Sequence, residues 1–432
     1  MKTKFIGHSS ILIESGDIKI LCDPWYTGTA FNDGWKLLVD SNVDINDLDF
    51  NYIWYSHEHP DHFSVPDIKK ISKEKRKDIT ILFQETIDNK VKDFCINNGF
   101  KVLELKPSAP TKLSKDLEII NGTDGFDSWL CVKSPEKTIL NLNDCRLDDI
   151  EILTSVKNQI GNIDALYTQF GYANWAGNPN DKKGPTIGRK IVESQLKNQI
   201  EVLSPNLVVP FASFVWFCHE ENSFWNELSI GIKESYDFLK SIANKVAIFY
   251  PGDNWIVGEE WKTNDSNIAL YELDKVKRSK EILNVSKSYN LLDLQQSFDK
   301  MINKIKALND WDEINKFKKY DNFQSAIVRL TDIDKTISFD ITEDKLNISK
   351  EQPHIEMSSD SFKYILDYAW GRGTLMINSR FSAKYDKFDS FFKQTAIFYA
   401  NNIGLSFPKT FTPDDLGKNS SFALELMREW EL

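Results

Sequence analysis

Between Tyr55 and Ser64 the chain reads YSHEHPDHFS, which puts three of its six histidines and an aspartate within six positions. His57 and His59 lie two apart, and Asp61 and His62 follow. The apolar run FNYIWYS leads into this cluster and reads as a short strand, so the cluster falls in the irregular turn at its end. Such a turn can aim His57 and His59 at one point and Asp61 and His62 at a neighbouring one. Imidazole nitrogens with a carboxylate suit borderline divalent metals such as zinc or ferrous iron. Two metals side by side are suited to activating water or another small ligand. The constraint on the fold is strong, because other loops must meet this strand end to complete the ligand sets.

The segment KFIGHSSILIESGDIKILCDPW reads as a hairpin. Ile11 and Ile13 alternate, SGD turns, Ile18 and Ile20 alternate again, and Asp23-Pro24 stops the strand. Strands are expected at DITILFQ, FKVLELK, LEIINGT, SWLCVKS, KTILNLND, DALYTQF, NLVVPFASF and KVAIFYPGD. Helical stretches such as PDIKKISKEKRK, IDNKVKDFCINNG and GRKIVESQLKNQIEVL fall between some of them, which favours a layered α/β arrangement. At 432 residues the chain exceeds one usual compact domain. The pattern divides it into a first domain over 1–264, a helical connector over 265–321 and a C-terminal α+β domain over 322–432. In the last part KTISFDITEDKLNISK alternates at Ile337, Phe339 and Ile341, a hairpin signal.

A net charge of −11 argues against nucleic acid as a partner. The five cysteines form no CxxC pair and are odd in number, which suits reduced thiols better than a disulfide framework. The first residues lack the apolar core of a signal peptide, and NLVVPFASFVWFC is too short to span a bilayer. The expected location is cytoplasmic, without a membrane partner.

The HxHxDH spacing resembles the metallo-β-lactamase fold superfamily. The Asp-Pro ending the first hairpin in ILCDPW and the strand-end aspartate in LNDC match that family too. The resemblance implies a four-layer αββα sandwich with the site at one edge, over roughly Met1 to Val257. It implies a bridging carboxylate at Asp144 and a metal-ligand set of His57, His59, Asp61, His62, Asp124, Asp144 and His219, with Asp61 and Asp144 as catalytic groups. Two of these positions depart from the family pattern. Where the family has Gly-His-Thr, this chain reads NGTDGFDSWL; Asp124, twenty residues before Asp144, is the first substitute and Asp127 the second. A carboxylate in place of an imidazole hardens that site and moves it from zinc toward iron or manganese. His219, in FASFVWFCHEEN, is assigned to the second metal with Asp61 and His62. His8, in GHSS, is either a pocket residue or a structural histidine in a tight turn. Asp23 is expected to orient a metal-bound histidine by a hydrogen bond.

GFDSWL, TQFGYANWAG and PFASFVWFCHEEN resemble the CMP-N-acetylneuraminate hydroxylase-like branch. By that resemblance Gln169, Tyr172, Asn174 and Trp175 line the pocket, with His8. Lys182 and Lys183 either meet a phosphate or carboxylate or are simply solvated. The hydroxylases of that branch carry a Rieske domain, whose cluster needs paired Cys-x-His and Cys-x-x-His motifs. The sequence has neither, so an oxygenase built on it is expected to draw electrons from a separate protein or from its substrate. The C-terminal segments ISFDITEDKLNI, PHIEMSSDSFKYIL and TLMINSRFSA are similar to a sterol-carrier-protein-2-like module, which implies an apolar cavity, a lid or a dimerisation surface. The function expected is that of a non-haem di-iron oxygenase or hydroxylase acting on a small polar metabolite, sugar-like or nucleotide-sugar-like. The alternative is a zinc- or manganese-dependent hydrolase of an ester, amide or phosphodiester. Both need two divalent metal ions, with iron favoured and zinc or manganese as alternatives.

Overall fold

The computed structural model describes residues 1–124, 127–172, 174–316 and 323–409. The end of the expected connector (317–321) and residues 322 and 410–432 of the expected C-terminal domain lie outside the described residues.

Two mixed sheets face each other. The first runs in the order Asn254–Ile256, Lys2–Gly7, Ser10–Ser15, Ile18–Cys22, Tyr52–Trp54, Thr80–Gln84, Lys101–Leu105. Its pairings are antiparallel as far as Ile18–Cys22 and parallel beyond it. The second runs Val208–Phe211, Ala165–Gln169, Thr138–Asn143, Asp127–Lys133, Leu117–Asp124, Pro110–Ser114. Strand alternation builds the layers, because successive side chains point to opposite faces. Ile11, Ile13, Ile20, Trp54 and Leu82 share one buried cluster with Ile119, Leu130, Val132, Ile139 and Tyr167 of the other sheet. Their neighbours Leu12, Leu21, Ile53 and Ile81 point outward, onto Ile68 of the helix Val65–Lys70 and Val91 and Cys95 of the helix Lys90–Asn97. On the other outer face Cys131, Leu140 and Leu166 meet Leu153, Val156 and Ile160 of the helix Ile150–Ile160. The layers are helix, sheet, sheet, helix.

The first hairpin turns at Gly16, whose φ of +59° suits a residue without a Cβ. The expected strand in KVAIFYPGD is reduced to a single bridge from Val246 to Val208. Its backbone is satisfied instead by side chains from the following segment. Asn264 accepts from Ile248 N, Asn267 donates to Ile248 O and Tyr271 donates to Phe249 O. A segment whose groups are taken this way has no ladder left to form.

The stretch expected as a connector is divided between two bodies. Ile268 and Tyr271 of the helix Asn264–Arg278 belong to the central cluster of the sandwich. The helix Leu291–Leu308 packs instead on a five-stranded sheet, ordered Asn347–Ile348, Lys335–Phe339, Ala326–Leu330, Ile355–Met357, Phe381–Ala383. That sheet also carries the helices Ser359–Asp367, Gly371–Asn378 and Asp389–Asn402. Its core continues into the first body through Trp25, Phe31, Trp35, Trp175 and Trp225. Among the described residues no helix is long and apolar enough to cross a membrane.

Candidate metal centre

The parallel strands of both sheets end at one edge of the sandwich, and the loops leaving them build the site. Asp23 follows Ile18–Cys22, the histidine cluster follows Tyr52–Trp54, and Asp144 follows Thr138–Asn143. His8 sits in the turn between the first two strands, and Asp127 opens its own strand. The cluster is folded into a tight turn by Phe63 N donating to His59 O at 2.7 Å and His62 N to the same carbonyl at 3.0 Å. Ser64 then caps the helix Val65–Lys70 by accepting from Asp67 N, with Pro66 in its first turn.

Three groups of side chains bring their ligand atoms within 4.8 Å of one another: His57, His59 and Asp127; His57, His62 and Asp144; and His8, Asp61 and His62. His57 Nδ1 is 3.6 Å from Asp127 Oδ1, and His62 Nε2 is 3.2 Å from Asp144 Oδ2 and 3.4 Å from Asp61 Oδ2. His8 Nε2 reaches the same Asp61 oxygen at 3.4 Å. His62 and Asp144 thus link the His57–His59 side to the His8–Asp61 side.

Asp23 is completely buried and anchors the arrangement. It accepts from Ser56 N at 2.8 Å, Ser56 Oγ at 2.7 Å and His62 Nδ1 at 3.0 Å, and also from Asn143 Nδ2. A carboxylate on Nδ1 fixes the ring so that Nε2 faces Asp61 and Asp144. On the far side of Asp144, Gln169 Nε2 donates to Oδ1 at 3.2 Å.

The electrostatics follow from crowding buried groups of both signs. Burial, with the neighbouring His62, pulls the His57 imidazole down to about 4. Burial, with the charge of Asp144, pushes the Asp127 carboxyl up to about 7. Burial opposes the charge on both His62 and Asp61, yet the two carboxylates beside His62 raise it and His62 holds Asp61 low. The residues fit a pair of divalent cations. Asp61 Oδ1 and His8 Nδ1 are buried with no hydrogen-bond partner, which is an expensive state unless an ion or water completes it. Mixed imidazole and carboxylate donors suit zinc, iron or manganese.

Asp124 and His219 lie outside these groups. Asp124 Oδ2 accepts from Leu147 N at 3.3 Å and so steadies the loop after Asp144. It stands directly across the hairpin from Asp127. The place expected for Asp124 beside His57 and His59 is held by its cross-strand partner Asp127, while the Asp124 carboxylate is engaged by Leu147 N. His219 Nδ1 accepts from Glu221 N at 3.1 Å within a tight turn, and burial beside Arg380 pulls the ring down to about 4. Its place next to Asp61 and His62 is taken by His8, whose left-handed φ of 45° turns the chain at the site's edge. The GHSS turn was the available signal, together with the small number of histidines to choose from.

Gln169, Tyr172 and Asn174 line the cavity beside the metal groups, with Phe31, Trp35 and Ile377. Trp175 points elsewhere: it is buried and stacked on Phe381 at 5.0 Å, in the junction with the second body. Lys182 and Lys183 are exposed and belong to none of the cavities at the site.

Comparison with known proteins agrees with this architecture. Residues 2–123 match the family described as "Beta-lactamase superfamily domain". A protein of Mycolicibacterium smegmatis named as a Rieske 2Fe-2S iron-sulfur protein is 28% identical over 188 residues, covering 40% of this chain and 35% of the relative. Cytidine monophosphate-N-acetylneuraminic acid hydroxylase of Xenopus laevis is 25% identical over 244 residues, covering 53% of this chain and 41% of the relative. The chain therefore spans well under half the length of these curated relatives. Among solved structures, a mutant of the CmlA beta-hydroxylase superposes with a TM-score of 0.43 at 13% identity, over 59% of this chain and 53% of that one. The helix–sheet–sheet–helix sandwich, the histidine cluster at its edge and the match of residues 2–123 to a beta-lactamase superfamily domain agree on an α/β metallo-β-lactamase fold.

Proposed function

We propose that the protein is a dinuclear metalloenzyme that uses iron to hydroxylate or oxidise a small polar metabolite. His57, His59 and Asp127 would hold one metal, His8, Asp61 and His62 would hold the other, and Asp144 would serve the centre beside His57 and His62. The observation that carries the reading is Asp127 beside His57 and His59. A carboxylate at that position favours iron or manganese over zinc relative to a third imidazole. The similarity to a hydroxylase of a nucleotide sugar supports a sugar-like or nucleotide-sugar-like substrate.

In this reading bound iron supplies the activation of dioxygen, and electrons arrive from a separate donor protein or from the substrate. The chain's own residues do the rest. Asp23 and Ser56 hold His62 in one orientation, and Gln169 holds Asp144. Asp61, buried and ionised, is placed to accept a proton at Oδ1. Phe31, Trp35 and Tyr172 give the cavity aromatic walls. The second body supplies Ile377 to the same wall, which supports treating it as part of the pocket; its order of strands and helices is compatible with a sterol-carrier-protein-2-like module. A cytoplasmic location belongs to the same reading, supported by five buried cysteines that are all free.

A second reading is a zinc- or manganese-dependent hydrolase of an ester, amide or phosphodiester, favoured by the match of residues 2–123 to a superfamily named for hydrolases. The same seven side chains would hold the metals, which would supply an activated water. Metal content measured by mass spectrometry on anaerobically purified protein, with oxygen uptake, separates the two. Near two irons per chain with oxygen consumption supports the hydroxylase. Near two zincs without it moves the assignment to the hydrolase, and less than one metal per chain overturns the dinuclear centre.

A further inference from the structure

The cavity beside the metal groups is acidic on one side, where Asp61, Asp127 and Asp144 meet. Among the described residues that line it, Arg146 is the one cationic side chain. Its position is built from the backbone outward. Gln199, fully buried, donates from Nε2 to Arg146 O at 2.8 Å and accepts from Thr168 Oγ1 at 2.7 Å. Asp124 holds the next residue through Leu147 N, and Cys145 N donates to Leu142 O at 2.9 Å. The loop that presents Asp144 therefore presents Arg146 as well, two residues on and equally fixed.

The guanidinium contacts Asp148 through Nη2 at 3.1 Å, with both side chains about two-fifths exposed (40% and 45%). A rim ion pair of this kind contributes about 0–1 kcal/mol, so exchanging Asp148 for another oxyanion costs little. A guanidinium also offers a planar fork of donors that matches carboxylate or phosphate oxygens. Two divalent cations would offset the carboxylates of the centre, leaving Arg146 as the cationic side chain of the cavity. An anionic substrate is then drawn into the cavity of an otherwise acidic molecule, whose net charge is −11.

We propose that Arg146 is the substrate-positioning residue of this cavity, binding a carboxylate or phosphate group so that the rest of the molecule lies against the metal ligands. The proposal deepens the metalloenzyme reading and rests on it for what lies at the cavity's other end. It limits substrates to molecules that carry a carboxylate or phosphate group.

The test is equilibrium binding of two probes, malonate and inorganic phosphate, to the metal-loaded protein, with metal content read on each sample. The wild type is expected to bind at least one probe. Tighter malonate binding identifies a carboxylate site and tighter phosphate binding a phosphate site. Arg146→Gln should weaken the preferred probe at least tenfold with metal content unchanged, and Arg146→Lys should fall between the two. Equal binding by wild type and Arg146→Gln, or no binding by the wild type, overturns the proposal. A second measurement needs no variant: the bound probe should protect Arg146 from phenylglyoxal in a peptide map of the wild type. Modification of Arg146 at an unchanged rate overturns it too. Loss of the metals themselves reads only on the dinuclear centre, so the two failures are separate.

Discussion

At the scale of single residues, the site turns on two choices between neighbours. Asp124 and Asp127 face each other across one hairpin, and only Asp127 meets His57 and His59. Asp127→Ala is expected to lose the metal at that position, about one per chain, whereas Asp124→Ala keeps both; metal analysis of the two purified variants checks it. Likewise His8→Ala should lose one metal and His219→Ala none. The pH dependence follows from Asp127, held up to about 7 by burial and by the charge of Asp144. A metal must displace that proton, so occupancy beside His57 and His59 should fall as pH is lowered through about 7. Dialysis at pH 8, 7 and 6 followed by metal analysis measures it. The HxHxDH cluster was legible because its ligands are close in sequence. The choice of Asp127 over Asp124 was not, because directly paired residues share a face of the hairpin and only the folded positions of His57, His59 and Leu147 tell the two carboxylates apart. His8 was obscured in the same way, since only folding brings the first turn against Asp61, fifty-three positions on.

At the scale of elements, short apolar runs bounded by turn residues made most strands of the sandwich readable, since inner strands such as Thr138–Asn143 and Ala165–Gln169 are buried on both faces. KVAIFYPGD misled for a physical reason: Asn264, Asn267 and Tyr271 from the next helix take its backbone groups. Gly122 shows how tightly the strand leading to the site is packed. A Cβ there would stand 2.0 Å from the Trp129 ring across the hairpin. Gly122→Ala should therefore force Trp129 out of its place and destabilise the protein by about 1–3 kcal/mol, the cost of overpacking. Urea denaturation followed by tryptophan fluorescence reads the change.

At the scale of the whole molecule, the sequence pattern divided the chain into a first domain over 1–264, a helical connector over 265–321 and a C-terminal domain over 322–432, but the joint between the two bodies lies in side chains that composition does not reveal. Arg380, 1% exposed, comes from the second body and pairs with Glu221 at 2.6 Å and Asp360 at 2.9 Å. It also donates to Asn32 O at 2.6 Å in the first body. Removing one partner of such a buried pair costs about 3–5 kcal/mol, because the remaining charge is left uncompensated. Arg380→Met is expected to lower stability toward that range in thermal denaturation while leaving the metal ligands in place, so metal content below the unfolding temperature should not change. His219 belongs to this joint rather than to the metal centre, which explains why burial beside Arg380 keeps it neutral.

The shared core around Trp25, Phe31, Trp35 and Trp175 has a consequence for how this chain can diverge. The sandwich is not a cassette. Recombination that cut near Asn264 and exchanged the second half would strip apolar cover from those rings and remove Ile377 from the cavity wall. New specificity is thus more accessible by point changes in the helix Gly371–Asn378, which carries Ile377 and holds no metal ligand, than by swapping halves.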